Sequence, residues 1–463
     1  MRVPPLRKNL TAPKPNRPAT SPPRNPTDMA FFDRSGSDRK HVVIVGGGIG
    51  GLMLATQLGR RFRSDTSVDV SLIDRAPVHV WKPMLHTFAA GTANAHEDGV
   101  PMVAQAKRAG FTFLPGEFHA LDRQAKRIAI RITDLPNRPP LNHQVRYDIA
   151  VIAIGSRAND FGTEGVQDHC HFIDTLWQAE SLNQALREEI VYRIIEGGPI
   201  KIGVVGGGAT GVEFSAETMR LMEAGSSYGH LDLREKLDLT LIDAGERLLG
   251  GFPPAISQKV MRKLQELGVS VRLNTQVAGA DQAGFVLPSG ERIEAAVRVW
   301  AAGVKAAAPL PGLEDLDRAR SGQLIVGPTL QTPIDADVFA LGDCASHTPG
   351  GAQRPLPPTG QVARQQADYL AKAIPARLAG STPGPFTYRD RGSLVSLSQY
   401  GAYGMVGGEG PLPSLAIRGW LAKQAHSLFY RMHQFGLYGP ARGSVLVLRD
   451  GLNTLIKPPI RLD

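Results

Sequence analysis

Two short apolar runs rich in β-branched residues, HVVIV at residues 41–45 and KIGVV at residues 201–205, each break abruptly into a cluster of glycines. Apolar runs of this length, nearly free of charge and bounded by glycine, predict strands buried on both faces of a parallel sheet. A helix-length stretch follows each, and then a second run, DVSLID ending at Asp74 or DLTLID ending at Asp243. Strand, glycine turn, helix and strand make a βαβ unit, and the chain holds it twice. DIAVIAIGS at 148–156, RVWAAGV at 298–304, LIVGPTLQT at 324–332 and DVFALGDCA at 337–345 predict further buried strands, and GQVARQQADYLAKAI at 360–374 a helix.

Near the C-terminus the period changes. From Leu415 onward, Ile417, Trp420, Leu421, Ala425, Leu428, Phe429, Met432 and Phe435 recur at three- and four-residue intervals, with Arg418, Lys423, His426, Arg431 and His433 mostly elsewhere around the wheel. After Gly439 and Pro440 the same spacing links Val445, Leu448, Leu452, Leu455 and Ile456 before Pro458 and Pro459 stop it. Bulky apolar residues on one side and a basic excess on the other suit helices lying in a lipid interface.

The glycines give the two βαβ units their chemistry. In the Gly-x-Gly-x-x-Gly pattern, Gly46 and Gly206 allow the tight turn, Gly48 and Gly208 let backbone approach a pyrophosphate, and Gly51 and Gly211 let helix and strand pack closely. Gly50 belongs to the first cluster. The helix N-terminus meets the phosphates with free N–H groups, and Asp74 and Asp243 can each accept bonds from a ribose diol. Two dinucleotide sites in one chain most simply mean a flavin and a nicotinamide, one taking hydride from the other. Gly342 and Asp343 follow the strand at 337–341, where the acid suits a ribityl chain.

The 463 residues allow two or three domains. Cys170 and Cys344 have no close partner, which disfavours a thiol relay and fits a reducing compartment. Residues 41–59 are nearly free of charge, yet their glycines and the following strand argue for a buried βα unit rather than a membrane span. Residues 1–27 hold six basic and no acidic residues among many prolines, so this arm is expected to be disordered, with translation expected to start at Met29.

GGGIGG, WKPMLH at 81–86, GGGATGVEFSAE at 206–217, VWAAGVKA at 299–306, GPTLQT, ALGDCAS, RGSLVSLS at 391–398 and YRMHQ at 430–434 together resemble the bacterial type II NADH dehydrogenases, single-chain NADH:quinone oxidoreductases that do not pump protons. The resemblance runs from residue 41 to the end. It implies an α/β fold with two Rossmann-type dinucleotide-binding domains arranged as in glutathione reductase, plus the C-terminal amphipathic segment. The implied division is a basic arm at 1–39, an FAD-binding domain at 40–160 and 320–383, an inserted NAD(H)-binding domain at 161–319, and a membrane-association region at 384–463.

Carried onto matching positions, the resemblance assigns FAD to Gly46, Gly48, Gly50, Gly51, Asp74, Lys82, Gly155, Gly342 and Asp343. It assigns NADH to Gly206, Gly208, Gly211, Asp243, Ala302 and Gly303. Glu213 aligns with the family glutamate near the nicotinamide and flavin rings. Gln361 and Gln365 match the family's paired glutamines at the quinone site, with Gly360 standing where the family usually has alanine. Implied too are a membrane quinone as acceptor, a peripheral position on the cytoplasmic face of the inner membrane, and the homodimer common in the family. No metal and no nucleic-acid partner are expected. Asp243 favours NADH over NADPH, although Arg247 nearby could accommodate the extra phosphate. Rival readings are a sulfide:quinone reductase, which needs paired cysteines at the flavin, a soluble reductase serving a protein acceptor, and a slow nucleotide sensor.

Overall fold

The computed structural model describes residues 39–456 apart from 66, 134–137, 229–231, 308–311 and 407–414, so the basic arm lies outside the described residues. Strands β1 (Lys40–Val45), β2 (Val68–Asp74), β3 (Thr112–Pro115) and β4 (Ile149–Ile152) belong to one five-stranded sheet. Strands β5 (His171–Phe172), β6 (Ile200–Val205), β7 (Leu237–Ile242), β8 (Ser270–Arg272) and β9 (Val297–Trp300) make a second. The first sheet is completed by β10 (Val338–Ala340), giving the order β10-β4-β1-β2-β3, while the second runs β5-β9-β6-β7-β8.

Every pairing in both sheets is parallel, and β1 and β6 sit at the two centres. Val42, Val43 and Ile44 of β1 are fully buried, as uncharged runs covered on both faces must be. The repeat also extends beyond the βαβ units. Between β3 and β4 the chain makes a three-stranded antiparallel sheet from Glu117–Asp122, Arg127–Ile132 and Leu141–Arg146, and between β8 and β9 another from Gly279–Asp281, Gly284–Val286 and Arg292–Glu294.

Helix α1 (Ile49–Arg61) buries Leu52, Met53, Leu54 and Leu58 beneath the first sheet. Helix α2 (Leu85–Ala90) follows the Trp81–Lys82 segment, and α3 (Ala209–Tyr228) leaves the second glycine turn. Helix α4 (Gly360–Leu378) packs along α1, and Thr359 caps it by accepting from the Val362 N–H at 3.3 Å. A Cβ on Gly360 would stand 2.9 Å from Ile49 Cδ1, so the glycine permits that close approach.

The C-terminal region corrects one expectation. Residues Leu415–Arg418 are strand, not helix, and pair antiparallel with Ala402–Val406, which pairs in turn with Gly392–Ser396. Gly419, at φ +65°, turns the chain from that strand into helix α5 (Trp420–Tyr438), and its N–H donates to Ala402 O at 3.0 Å. Ile417 therefore leaves the helical stripe: ladder hydrogen bonds outweigh its spacing. Helix α6 (Pro440–Ile456) follows. Val395 and Leu397 lie in the core of the second unit, whereas Leu437 of α5 lies in the core of the first.

Candidate dinucleotide and electron-transfer site

Each glycine turn is closed by the next strand of its own sheet. A Cβ on Gly46 would stand 2.3 Å from Ala153 O, and one on Gly206 would stand 2.6 Å from the Ala301 carbonyl. A Cβ on Gly51 or Gly211 would lie 1.8 or 2.0 Å from Gly46 O or Gly206 O. Gly48 and Gly208 differ: nothing lies within 4 Å of an added Cβ at either. Those two positions open onto free cradles at helix N-termini, the shape and polarity a pyrophosphate requires. A Cβ on Gly50 would strike Leu341 Cδ1 at 2.4 Å, so this glycine serves packing against the late strand.

The two acids behave alike. Asp74 accepts from the N–H groups of Gly47 and Ala76 at 2.5 and 2.7 Å, and Asp243 from those of Gly207 and Gly245 at 2.5 and 2.7 Å. Each carboxylate thus braces its own glycine turn, and each oxygen keeps a lone pair for a diol. Burial pushes the Asp74 carboxyl above its ordinary value, against the lowering effect of those N–H donors.

Around the first cradle, Gly155 and Gly342 take φ +73° each, and Gly303 takes φ +64° at the position beside the second that corresponds to Gly155. Ala302 is partly buried against the cluster that includes Trp300. Asp343 Oδ2 accepts from Ser156 Oγ at 2.7 Å, and Lys82 Nζ lies 3.4 Å from Ser156 O and 3.3 Å from Asp174. The Gly342 N–H donates to Gln366 Oε1 at 2.7 Å. Gln366 is buried and was not singled out by the sequence, because the bond spans a fold-level contact rather than a local motif. These polar groups line the path from the first cradle toward Lys82, and they fit an FAD molecule.

Glu213 lies in α3 below the second cradle and is buried, 6 % exposed. Its Oε1 accepts from the Ser396 N–H at 2.9 Å, and its Oε2 lies 3.4 Å from Nδ1 of His86 in α2. Burial pushes this carboxyl up to about 8, with Glu217 adding to the rise and the Ser396 N–H opposing it. His86, carried by the WKPMLH segment, and Ser396, carried by RGSLVSLS, were legible as parts of motifs but not as partners of Glu213.

Gln361 and Gln365 do share a face of α4, and both amides are engaged. Gln361 Oε1 accepts from the Arg391 N–H at 2.7 Å, while Gln365 donates to Arg389 O at 2.8 Å and accepts from the Arg389 N–H at 3.0 Å. The pair staples the segment leading into strand Gly392–Ser396, and hence to Ser396. Arg247 is also committed: it donates to Phe252 O and Gly250 O, each at 2.6 Å, and to Ser257 Oγ at 3.0 Å.

The two cysteines are free, and burial pushes their thiols up to about 12 at Cys170 and about 11 at Cys344. Neither supplies a thiolate at neutral pH.

Comparison with known proteins places this arrangement. The pyridine nucleotide-disulphide oxidoreductase family model matches residues 40–367. The type II NADH:quinone oxidoreductase of Haemophilus influenzae is 37% identical over 443 residues, covering 91% of this chain and 100% of that protein. The enzyme of the same name from Staphylococcus aureus is 30% identical over 382 residues, covering 80% of this chain and 91% of its own. Among solved structures, NDH2 from Plasmodium falciparum in complex with NADH has a TM-score of 0.76 at 18% identity, covering 91% of this chain and 100% of that one. The sulfide:quinone oxidoreductase of Aquifex aeolicus has a TM-score of 0.66 at 20% identity, covering 90% and 96%, a likeness of fold alone. With two complete dinucleotide cradles and matches of this extent, the chain belongs to the type II NADH:quinone oxidoreductases, within the pyridine nucleotide-disulphide oxidoreductase family.

Proposed function

We infer that the chain is an FAD-dependent NADH:quinone oxidoreductase that works without pumping protons. The observation that carries the reading is the meeting of three segments: Glu213, beneath the second cradle, meets His86 of the WKPMLH segment and Ser396 of the C-terminal sheet. The first cradle would hold FAD and the second NADH, and FAD when bound would supply acceptance of a hydride from NADH and transfer of two electrons, with two protons, to a quinone. The protein's part is to hold both nucleotides, exclude water at the junction, and keep a neutral carboxyl there.

We assign FAD to Gly46, Gly48, Gly51, Asp74, Lys82, Gly155, Gly342 and Asp343, and NADH to Gly206, Gly208, Gly211, Asp243, Ala302 and Gly303. Residues 40–160 with 320–383 then form the FAD domain, 161–319 the NADH domain, and 384–463 the membrane-facing region. Gln361 and Gln365 serve the quinone side by ordering the segment before Ser396. Among the described residues no helix is long and apolar enough to cross a membrane. An apolar stripe of α5 and α6, with Leu428, Val445, Leu448 and Leu452 each at least half exposed, supports peripheral attachment, placed here on the cytoplasmic face of the inner membrane. Two high-pKa unpaired thiols disfavour sulfide chemistry.

Anaerobic stopped-flow tests the reading directly. Mixing with NADH bleaches the flavin absorbance, and a second mix with a soluble quinone restores it. Flavin that bleaches with NADH yet stays reduced with quinone would move the chain to the soluble reductases.

A further inference from the structure

The two glycine turns are braced differently at one peptide group. In the second turn, Gly207 O accepts from the Leu249 N–H at 2.7 Å, a backbone donor of the same unit. In the first turn, Gly47 O is bonded instead by a side chain, His79 Nδ1, at 2.8 Å. His79 Nε2 in turn lies 3.0 Å from Nε2 of His433, which stands on helix α5 of the C-terminal region.

The chemistry of this chain of contacts fixes its protons. A carbonyl oxygen can only accept, so His79 carries its proton on Nδ1 and offers a lone pair at Nε2. His433 must then donate from its own Nε2, leaving Nδ1 as an acceptor, and that atom has no hydrogen-bond partner among the described residues. Both rings are buried, at 4 and 5 % exposure, and Trp81 stacks over His433 at 6.4 Å between centroids. Burial holds both imidazoles well below their usual range, His79 at about 4, so both are neutral as the shared bond requires.

A second consequence follows from peptide planarity. Gly47 C=O and Gly48 N–H belong to one rigid plane and point in opposite directions. Fixing the carbonyl on His79 therefore also fixes the Gly48 N–H, which points away from His79 on the residue whose added Cβ would meet nothing within 4 Å. The Gly47 N–H is fixed separately by Asp74.

We propose that His79 and His433 form a strut through which the C-terminal helix α5 orients the phosphate-binding peptide of the FAD turn, so that FAD affinity, unlike NADH affinity, depends on how α5 is seated. The seating itself is specific: Leu437 O accepts from Gln105 Nε2 at 2.8 Å, and Arg60 donates to Gly436 O at 3.0 Å and also to Leu437 O. His79 and His433 are positioning residues here, and the strut rests on the assignment of FAD to the first turn.

The test measures FAD affinity of flavin-stripped full-length protein by fluorescence quenching, and NAD⁺ affinity of the same samples by calorimetry. His79→Phe and His433→Phe each raise the FAD Kd about tenfold, the scale of one lost buried hydrogen bond. The double variant is no weaker than the worse single one, because the two residues act in series. His433→Gln, which returns an N–H donor near the same place, restores affinity, and NAD⁺ affinity stays level throughout. Additive losses, an equal loss of NAD⁺ affinity, or a His433→Gln variant as weak as His433→Phe overturns the strut. Wild-type protein that takes up no FAD overturns the FAD assignment itself, and the strut with it.

Discussion

Glu213 of α3 and His86 of α2 meet where these two helices pack together, with carboxyl Oε2 3.4 Å from imidazole Nδ1 and both side chains buried. A carboxyl so placed binds its proton more tightly in the fold than in the unfolded chain, and this has a signature in stability. Its value rises from 4.5 to about 8. Between those values the unfolded chain has released the proton and the fold has not, so stability falls as pH rises and levels off above about 8. Glu213→Gln has no proton to lose. Its Tm relative to the natural protein should therefore climb steadily from pH 5 to pH 8, measured by calorimetry with FAD in excess. A difference that stays flat over that range would mean Glu213 is ionised in the fold.

The features legible in the sequence share one property: each closes within 36 residues of chain. The doubled Gly-x-Gly-x-x-Gly, the strand-terminal Asp74 and Asp243 and the one-turn spacing of Gln361 and Gln365 are all of that kind. Partnerships that close over long distances were invisible. Ser396 to Glu213 spans 183 residues and His79 to His433 spans 354, while Gln366 to Gly342, only 24 apart, joins a helix to a turn that no local motif links. Both histidines sit within or beside quoted motifs, but a motif does not say what faces it. The start of the C-terminal helix was misplaced for the related reason that pairing between Leu415–Arg418 and Ala402–Val406 overrides a local helical period.

Nucleotide preference follows from two side chains. Asp243 keeps lone pairs free beside the second turn, while the guanidinium of Arg247 is spent on Phe252 O, Gly250 O and Ser257 Oγ. A 2′-phosphate would meet a carboxylate and no free arginine there. The ratio of kcat/KM for NADH over NADPH should exceed about tenfold, the scale of one unfavourable charged contact. Equal efficiencies would show that Arg247 turns toward the nucleotide.

Membrane attachment is best tested on the exposed stripe rather than by deletion. Val445, Leu448 and Leu452 are 66, 65 and 50 % exposed, while on the same helix Asp450 turns inward to Arg431. Inserting each apolar side chain into lipid contributes roughly 1.5–3 kcal/mol. Leu448→Asp with Leu452→Asp should move the protein from the membrane pellet to the supernatant with NADH-to-dye activity unchanged. Removing everything from Leu415 would instead strip Leu437 from the first unit's core and disturb flavin binding. A double variant that still pellets with membranes would exclude this stripe as the attachment surface.

Gln365 acts on the segment before Ser396. Replacing it with Ala deletes two bonds to the Arg389 backbone and loosens the connection to Glu213. The second turn, with its own local bonds, is untouched. Double-mixing stopped-flow should show quinone reoxidation of the flavin slowed about tenfold or more, with flavin reduction by NADH changed far less. Equal slowing of both half-reactions would remove the glutamines from the quinone side.

The two open cradles allow the cofactors to be assigned one at a time. Gly48 has φ −65° and ψ −169°, a conformation alanine adopts without strain, and nothing protein-bound stands within 4 Å of an added Cβ there or at Gly208. Gly48→Ala and Gly208→Ala should therefore fold with the natural Tm when nucleotide is absent, since the new methyl group meets only the space reserved for a pyrophosphate. Gly48→Ala should purify colourless, having lost FAD. Gly208→Ala should purify yellow and remain oxidised when NADH is added, yet be bleached by dithionite. Gly51→Ala and Gly211→Ala differ in kind, because their methyl groups would press on Gly46 O and Gly206 O and lower the Tm itself. Should Gly48→Ala keep its flavin while Gly208→Ala loses it, the two turns have exchanged roles, and with them the direction in which hydride passes between them.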